Sequence, residues 1–490
     1  MPFLSRNLRN LRYRPWYSVL VVAWLGFCHP GMFSALNGLG ASGEETPALS
    51  NTVNAVVFGS LTVGGFFTGI LCNYIGVRWV LTIGSLGYAP YAAALYTNAA
   101  FGNTWFPILG GLLCGISGVH LWTATGAINL TFPEVRHRGR AVATKFVFQN
   151  FGGFIGGIIS FGINASGSTR GRVSDATYFA FTSIMCLGLI PALTVPRPDQ
   201  VVRKDGSHIA AHKFQSLQEE FIGLKRSLVS INFLLLLPYI LYCQWDLAYM
   251  WTWNAAYHSV RARGLLSAFF YLIGPTIIGP IQGYLLDRTV WTRRSRAKVG
   301  TTLFAVLSLL IWIYGLVVQY QYDNRDPTTV IDIHDPVFAK SFLLFVLYGL
   351  LENSSMIILY WIIGSLGLPP GELASLVGLA VGMGSAGSTA AFIIGAKNVA
   401  LKWQLWANVI TFFVGIPGLL YVAWFRVAED SALDAATSKR VFDDNSSSTG
   451  DGVEPSFDAK LVPADGAVLV APEPTRFSKE LAHTRTNGIE

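Results

Sequence analysis

Four ionisable side chains stand inside long apolar runs of this 490-residue chain: His29, His120, Asp246 and Glu352. Such a residue near the centre of a bilayer costs about 2.5–3.5 kcal/mol on insertion scales, so it normally faces a cavity or a partner. Carboxyls and imidazoles are also the groups that relay protons through membranes. Pro30 follows His29 and, lacking an N–H, should kink the run that holds them. Around Asp246, the residues Tyr242, Asp246, Tyr249 and Trp253 step by four, three and four, which puts them on one helix face. Tyr348 and Glu352 are one turn apart, with Asn353 next in line. Aromatic walls with a few polar groups suit a bulky, partly apolar ligand. Two plainer readings compete: a buried acid that pins helices together, and a belt of Trp and Tyr at headgroup level.

Other chemistries find no constellation. Cys28, Cys72, Cys114, Cys186 and Cys243 all lie in apolar runs, with neither metal-ligand spacing nor loop positions suited to disulfides. There is no G-x-S-x-G elbow, no P-loop and no His/Glu zinc motif. The expectation is therefore no enzyme, no cofactor and no metal.

The elements that must position these residues are membrane helices. The chain is 52% hydrophobic and 13% charged, about half the charge of a soluble protein. Apolar runs of twenty or more residues recur, and inside lipid the backbone must satisfy itself as helix. The first run, from about Trp16, continues into the body and reads as a retained helix, not a cleaved signal. The runs predict helices over 15–36, 50–75, 79–99, 105–130, 142–164 and 175–196, then over 231–257, 263–286, 299–320, 337–363, 371–395 and 402–425. The layout is a basic N-terminus (1–13), a six-helix bundle (14–196), a polar linker (197–230), a second bundle (231–426) and an acidic tail (427–490). The fold class expected is an all-α membrane protein of twelve transmembrane helices in two six-helix pseudo-repeats, with a site near the midplane between them.

Within the linker, Phe214, Leu217, Phe221, Leu224 and Leu228 form a stripe. That reads as an amphipathic helix, either on the membrane surface or packed on the loops. The tail is rich in Asp, Ser, Ala and Pro and reads as disordered. Its acidity offsets a membrane body more basic than the chain's net +7, a balance that suits an anionic leaflet and gives no reason to invoke nucleic acid. Arg78, Arg136, Arg138, Arg140, Arg293, Arg294, Arg296 and Lys298 fall in loops on the linker's side. Glu44, Glu45, Asp323, Asp326, Asp332 and Asp335 fall opposite, so both termini are expected in the cytosol. The resident membrane stays open. Asn164-Ala-Ser166 is a glycosylation candidate on the far side. Gly152/Gly156, Gly153/Gly157 and Gly378/Gly382 are small-residue ladders for close helix approach.

One short pattern occurs twice. Gly69-Ile-Leu-Cys-Asn73-Tyr-Ile-Gly76-Val-Arg78 ends one apolar run, and Gly283-Tyr-Leu-Leu-Asp287-Arg288 ends another. It resembles the loop between helices 2 and 3 of the major facilitator superfamily, with Asn73 where that family usually carries Asp. The resemblance implies that Gly69, Asn73, Gly76, Arg78, Gly283, Asp287 and Arg288 form gating loops, and that helices 1, 4, 7 and 10 line a central cavity. His29, His120, Asp246 and Glu352 all fall on those four helices. The first helix, Gly26-Phe-Cys-His-Pro30 through Asn37-Gly-Leu-Gly40, is similar to fungal members of the uncoordinated-93 family. So is Phe132-Pro-Glu-Val-Arg-His-Arg138-Gly-Arg140 with Asn150. Some animal members of that branch act as channel regulatory subunits or receptor escorts. Two functions are therefore carried forward. One is proton-coupled transport of a small organic molecule across a lipid bilayer. The other is a non-transporting escort or regulatory subunit whose partner is another membrane protein.

Overall fold

The computed structural model describes residues 11–40, 47–65, 67–134, 138–169, 171–203, 222, 225–287, 290–326, 329–368 and 370–428. The linker stripe from Phe214 to Leu224 and the tail beyond residue 428 lie outside them.

Among the described residues the chain makes twelve helical passes. In the first half they are α1 (Pro15–Gly38), α2 (Pro47–Gly64 with Thr68–Ile75), α3 (Val77–Gly84 with Tyr88–Phe101), α4 (Trp105–Thr131), α5 (Arg138–Ile163) and α6 (Asp175–Ala192). In the second half they are α7 (Ile231–Tyr242 with Asp246–Tyr257), α8 (Val260–Leu286), α9 (Arg293–Asp323), α10 (Phe338–Gly364), α11 (Pro370–Ala396) and α12 (Leu401–Phe425). Ten passes are long and apolar enough to cross a bilayer as single spans. α2 and α3 are each interrupted, and neither contains a segment that meets both conditions.

The interruptions have local causes. In α3 the helix loosens at Ser85–Gly87, and Ser117 of α4 satisfies the backbone there. Its hydroxyl accepts from the Gly87 N–H at 2.8 Å and donates to the Ile83 carbonyl at 3.2 Å. α1 widens to a π turn at Phe27–Gly31 and α8 to another at Leu272–Ile278. Each contains a proline, Pro30 or Pro275, whose missing N–H breaks the ladder. Ser230, Ser259 and Thr292 cap α7, α8 and α9, each hydroxyl accepting from the backbone three residues on.

Two buried clusters form the core, the first reaching across the seam to Trp251 and Phe392 of the second half. One gathers Val22, Leu25, Tyr91, Leu95 and Phe181 of the first half. The other gathers Tyr239, Trp253, Trp312, Phe345 and Leu405 of the second. The halves meet where α2 packs on α11 and α5 on α8. Of the small-residue ladders, Gly153/Gly157 sets the α5–α8 distance: a Cβ on Gly157 would stand 2.6 Å from the Ala268 nitrogen of α8, whereas Gly152/Gly156 packs on α1 and a Cβ on Gly378 would meet nothing within 4 Å.

Candidate functional site

The middle of α7 loosens into a turn at Cys243–Trp245, with right-handed helical dihedrals kept at Cys243 and Trp245. A break at that depth frees backbone groups that lipid cannot satisfy. Two serines from neighbouring helices take them up. Ser355 of α10 donates to the Cys243 carbonyl at 3.3 Å, and Ser388 of α11 donates to the Gln244 carbonyl at 2.8 Å. Tyr239 returns the contact by donating to the Ser355 carbonyl at 3.1 Å.

Asp246 opens the second segment of α7 and is 2% exposed. Its carboxylate lies beside the backbone N–H groups of Asp246 and Leu247. Oδ1 is buried without a hydrogen-bond partner. Glu352 of α10 lies within electrostatic reach of it, as do the Tyr242 and Tyr348 hydroxyls. Glu352 also reaches Tyr271 of α8 electrostatically. Tyr271 donates to the Ser34 carbonyl of α1 at 3.0 Å, and its ring covers Gly153 of α5. The acid pair therefore stands one side chain from the seam between the halves.

Other expected cavity residues sit elsewhere. Tyr242 accepts from the Trp312 indole at 3.1 Å and packs on Phe412. Tyr249 donates to the Gln319 Oε1 at 2.9 Å, and Trp253 stacks on Tyr322 and Phe345. All three are core of the second half, against α9, α10 and α12, and do not line the space between halves. Asn353 turns toward α8, where Gly279 leaves room for its Nδ2. His29 is buried between Tyr88 of α3 and Gly188 of α6, inside the first half. His120 turns back on its own helix, its Nδ1 2.6 Å from the Ile116 carbonyl, and no hydrogen bond or ion pair joins it to either acid. Among the described residues no three His, Cys, Asp or Glu side chains converge as metal ligands.

The sequon residue Asn164 lies inside the fold. It is 6% exposed, its amide donates to Ser160 and Thr177, and its oxygen accepts from the Ser174 N–H at 2.7 Å. The nitrogen that would carry a glycan is enclosed and in use.

The loop between α2 and α3 is a single residue. Gly76 turns the chain there with φ +84° and ψ 148°, a conformation open to glycine and strained for others. Arg78 then donates to the Leu193 carbonyl at 2.7 Å and so sits at the negative end of α6. In the second half Arg296 does similar work, donating to the Leu286 carbonyl at the end of α8 at 2.7 Å. Gly283 faces open space. The side chains of Gly69, Asn73, Asp287 and Arg288 are outside the described set.

The hydrogen bonds joining the halves gather at the end of the bundle away from the chain termini. Arg263 of α8, 1% exposed, donates to the carbonyls of Leu39 (2.6 Å), Gly171 (2.9 Å) and Gly40 (3.1 Å). Asn254 donates to the Gly38 carbonyl at 2.7 Å, and Asn51 to the Thr252 hydroxyl at 3.2 Å. Arg261 donates to the Ala165 carbonyl at 3.2 Å and forms an ion pair with Asp332. That guanidinium, with the Ser259 hydroxyl, holds the Asp332 carboxyl down at about 2. Arg263 escaped the reading of the sequence because a basic residue at a helix end resembles an interfacial anchor. Lys145 of α5 escaped for the same reason, yet it is buried.

The comparisons with known proteins agree with this layout. The family model of the Major Facilitator Superfamily matches residues 16–331. "UNC93-like protein 1" of Arabidopsis thaliana is 31% identical over 431 residues, 86% of this chain and 92% of that protein. "Notoamide biosynthesis cluster protein O'" of Aspergillus versicolor is 30% identical over 408 residues, 82% and 87% of the two chains. Among solved structures, the inward open conformation of the xylose transporter XylE from E. coli superposes with a TM-score of 0.58 at 13% identity. It covers 86% of this chain and 99% of that one, a likeness of fold alone.

Proposed function

The chain belongs to the major facilitator superfamily, in its UNC93-like branch, and from that premise we propose that it moves a small organic molecule across a bilayer with proton coupling. The observation that carries the reading is the break in α7, which holds Asp246 buried with one bare oxygen beside Glu352. A helix ladder is interrupted at that depth only where its polar groups line a site or are taken up by protein, and this one adds an orphaned carboxylate oxygen. Glu352 also lies within electrostatic reach of Tyr271, which bonds Ser34 across the seam. Occupancy or protonation at Glu352 can thus be felt where the halves rock.

With the termini in the cytosol, as the basic loops suggest, the closed end faces away from the cytosol and the arrangement is inward-facing. Protease access to a tag after Glu490 tests the orientation; protection inside sealed, right-side-out vesicles is expected.

The escort reading keeps one structural argument. Tyr242, Tyr249 and Trp253 are packing residues, so fewer polar groups remain for a substrate. Proteoliposome flux under an imposed pH gradient separates the two. Glu352→Gln and Asp246→Asn should abolish gradient-driven flux while the protein stays folded and inserted. Normal flux with a normal pH profile in the double variant ends the coupling proposal, and absence of flux in the unaltered protein across a metabolite panel favours the escort.

A further inference from the structure

The first half carries a buried lysine that neither the acid pair nor the closed end uses. Lys145 lies on α5, two turns from its start, and is 4% exposed. Its ammonium sits 3.3 Å from the centroid of the Trp122 ring of α4 and 4.3 Å from that of Phe146. It donates one hydrogen bond, to the Gln149 Oε1 at 2.6 Å. Among the described residues no carboxylate stands within ion-pair distance of it. Gly26 of α1 lets this stretch of α5 come close: a Cβ there would already be 3.4 Å from the Lys145 carbonyl.

A lysine this far into a bundle usually finds a carboxylate or lets its stem carry the charge out to water. Lys145 does neither. Ring faces and an amide oxygen offer only partial negative charge. One N–H is spent on Gln149, and the ammonium has three. The acids of the interior, Asp246 and Glu352, stand on the other half. Among the described residues the first half thus presents a buried lysine amine with no carboxylate beside it, and the second half a carboxyl pair.

We propose that Lys145, with Trp122 and Gln149, is the anion-binding point of the transport site, and that the substrate class is an organic monocarboxylate with an apolar or aromatic body. The carboxylate takes the ammonium's free donor, and the rings of Trp122 and Phe146 flank the body. This deepens the transporter reading and rests on it. It also relates the two halves chemically: a monoanion on Lys145 together with one proton on the acid pair crosses as a neutral load.

The test uses purified full-length protein and tritiated benzoate as the probe, with benzamide as the neutral isostere. The unaltered protein should retain benzoate above detergent micelles alone, and benzamide should fail to displace it. Lys145→Met should weaken benzoate binding about tenfold or more, the loss expected for a charge-assisted contact. Lys145→Arg should hold it within about threefold, and Lys402→Met on α12 should leave it unchanged. Lys145→Gln serves as a second variant if Lys145→Met is not monodisperse. No benzoate binding by the unaltered protein, equal displacement by benzamide, or equal affinity in Lys145→Met overturns the proposal. Uptake into proteoliposomes keeps the two readings apart. Lys145-dependent binding without uptake leaves the site standing and removes transport; uptake indifferent to Lys145→Met does the reverse.

Discussion

Removing Arg263 should open the closed end. Its guanidinium joins the last carbonyls of α1 and the Gly171 carbonyl to α8, across the two halves, through three hydrogen bonds of 2.6–3.1 Å. Hydrogen bonds to a charged group contribute about 1.5–3 kcal/mol each. Arg263→Ala deletes all three, and water entering the gap recovers part of the loss. A net cost on the order of 3 kcal/mol to the closed arrangement is a fair working figure. At 1.4 kcal/mol per tenfold, that shifts the closed-to-open ratio by about a hundredfold. Ser267 offers the probe position, being fully buried against Gly38 of α1 just behind the latch. In a background lacking the five native cysteines, Ser267→Cys should react slowly with an impermeant maleimide. Adding Arg263→Ala should speed that reaction by up to about a hundredfold. Arg263→Lys should fall between, since a point charge cannot reach all three carbonyls at once. Equal labelling rates with and without Arg263, in protein that melts normally, would refute the reasoning.

Gly76→Ala should cost about 1–3 kcal/mol through backbone strain alone, because φ +84° is disfavoured for alanine while the space around it is empty; a thermal melt in detergent reads the loss. Asn164→Gln should leave the electrophoretic mobility of the expressed protein unchanged, whereas Asn164→Ala should destabilise it by about 1–3 kcal/mol by orphaning the Ser174 N–H. A glycosidase-sensitive shift that Asn164→Gln removes would contradict the enclosed amide. Asp332 has a folded value of about 2 against an ordinary 3.8, so the stability it adds is full above about pH 4 and is lost as the pH falls through about 2. Melting temperature should therefore drop across that window in the unaltered protein, and Asp332→Asn should flatten the drop; parallel curves would assign the acid sensitivity elsewhere.

Much of the architecture was legible in the chain itself. Apolar runs long enough to span a bilayer allow only self-satisfied helix, so the passes and their order follow from hydropathy. The break at Gly76 was legible as the gap between the apolar runs 50–75 and 79–99 and through the loop's resemblance, while its glycine-only conformation came from the structure. Asp246 and Glu352 stood out because a carboxyl inside lipid demands a reason, and the structure does bring them together. Which way a face points was not legible. Tyr242, Asp246, Tyr249 and Trp253 share one face by spacing, yet spacing cannot say whether that face meets a cavity, a neighbouring helix or lipid. In a soluble protein the polar face marks the outside, but here lipid and core are equally apolar and the pattern loses its sign. Packing decided it: α9 and α12 cover Tyr242 and Tyr249, and only the loosened turn leaves Asp246 an unmatched oxygen. Lys145 and Arg263 were hidden by the same ambiguity, since a cation near a helix end reads as an anchor reaching for water. Only the fold shows that their heads turn inward, one to the ring of Trp122 and the other to the end of α1.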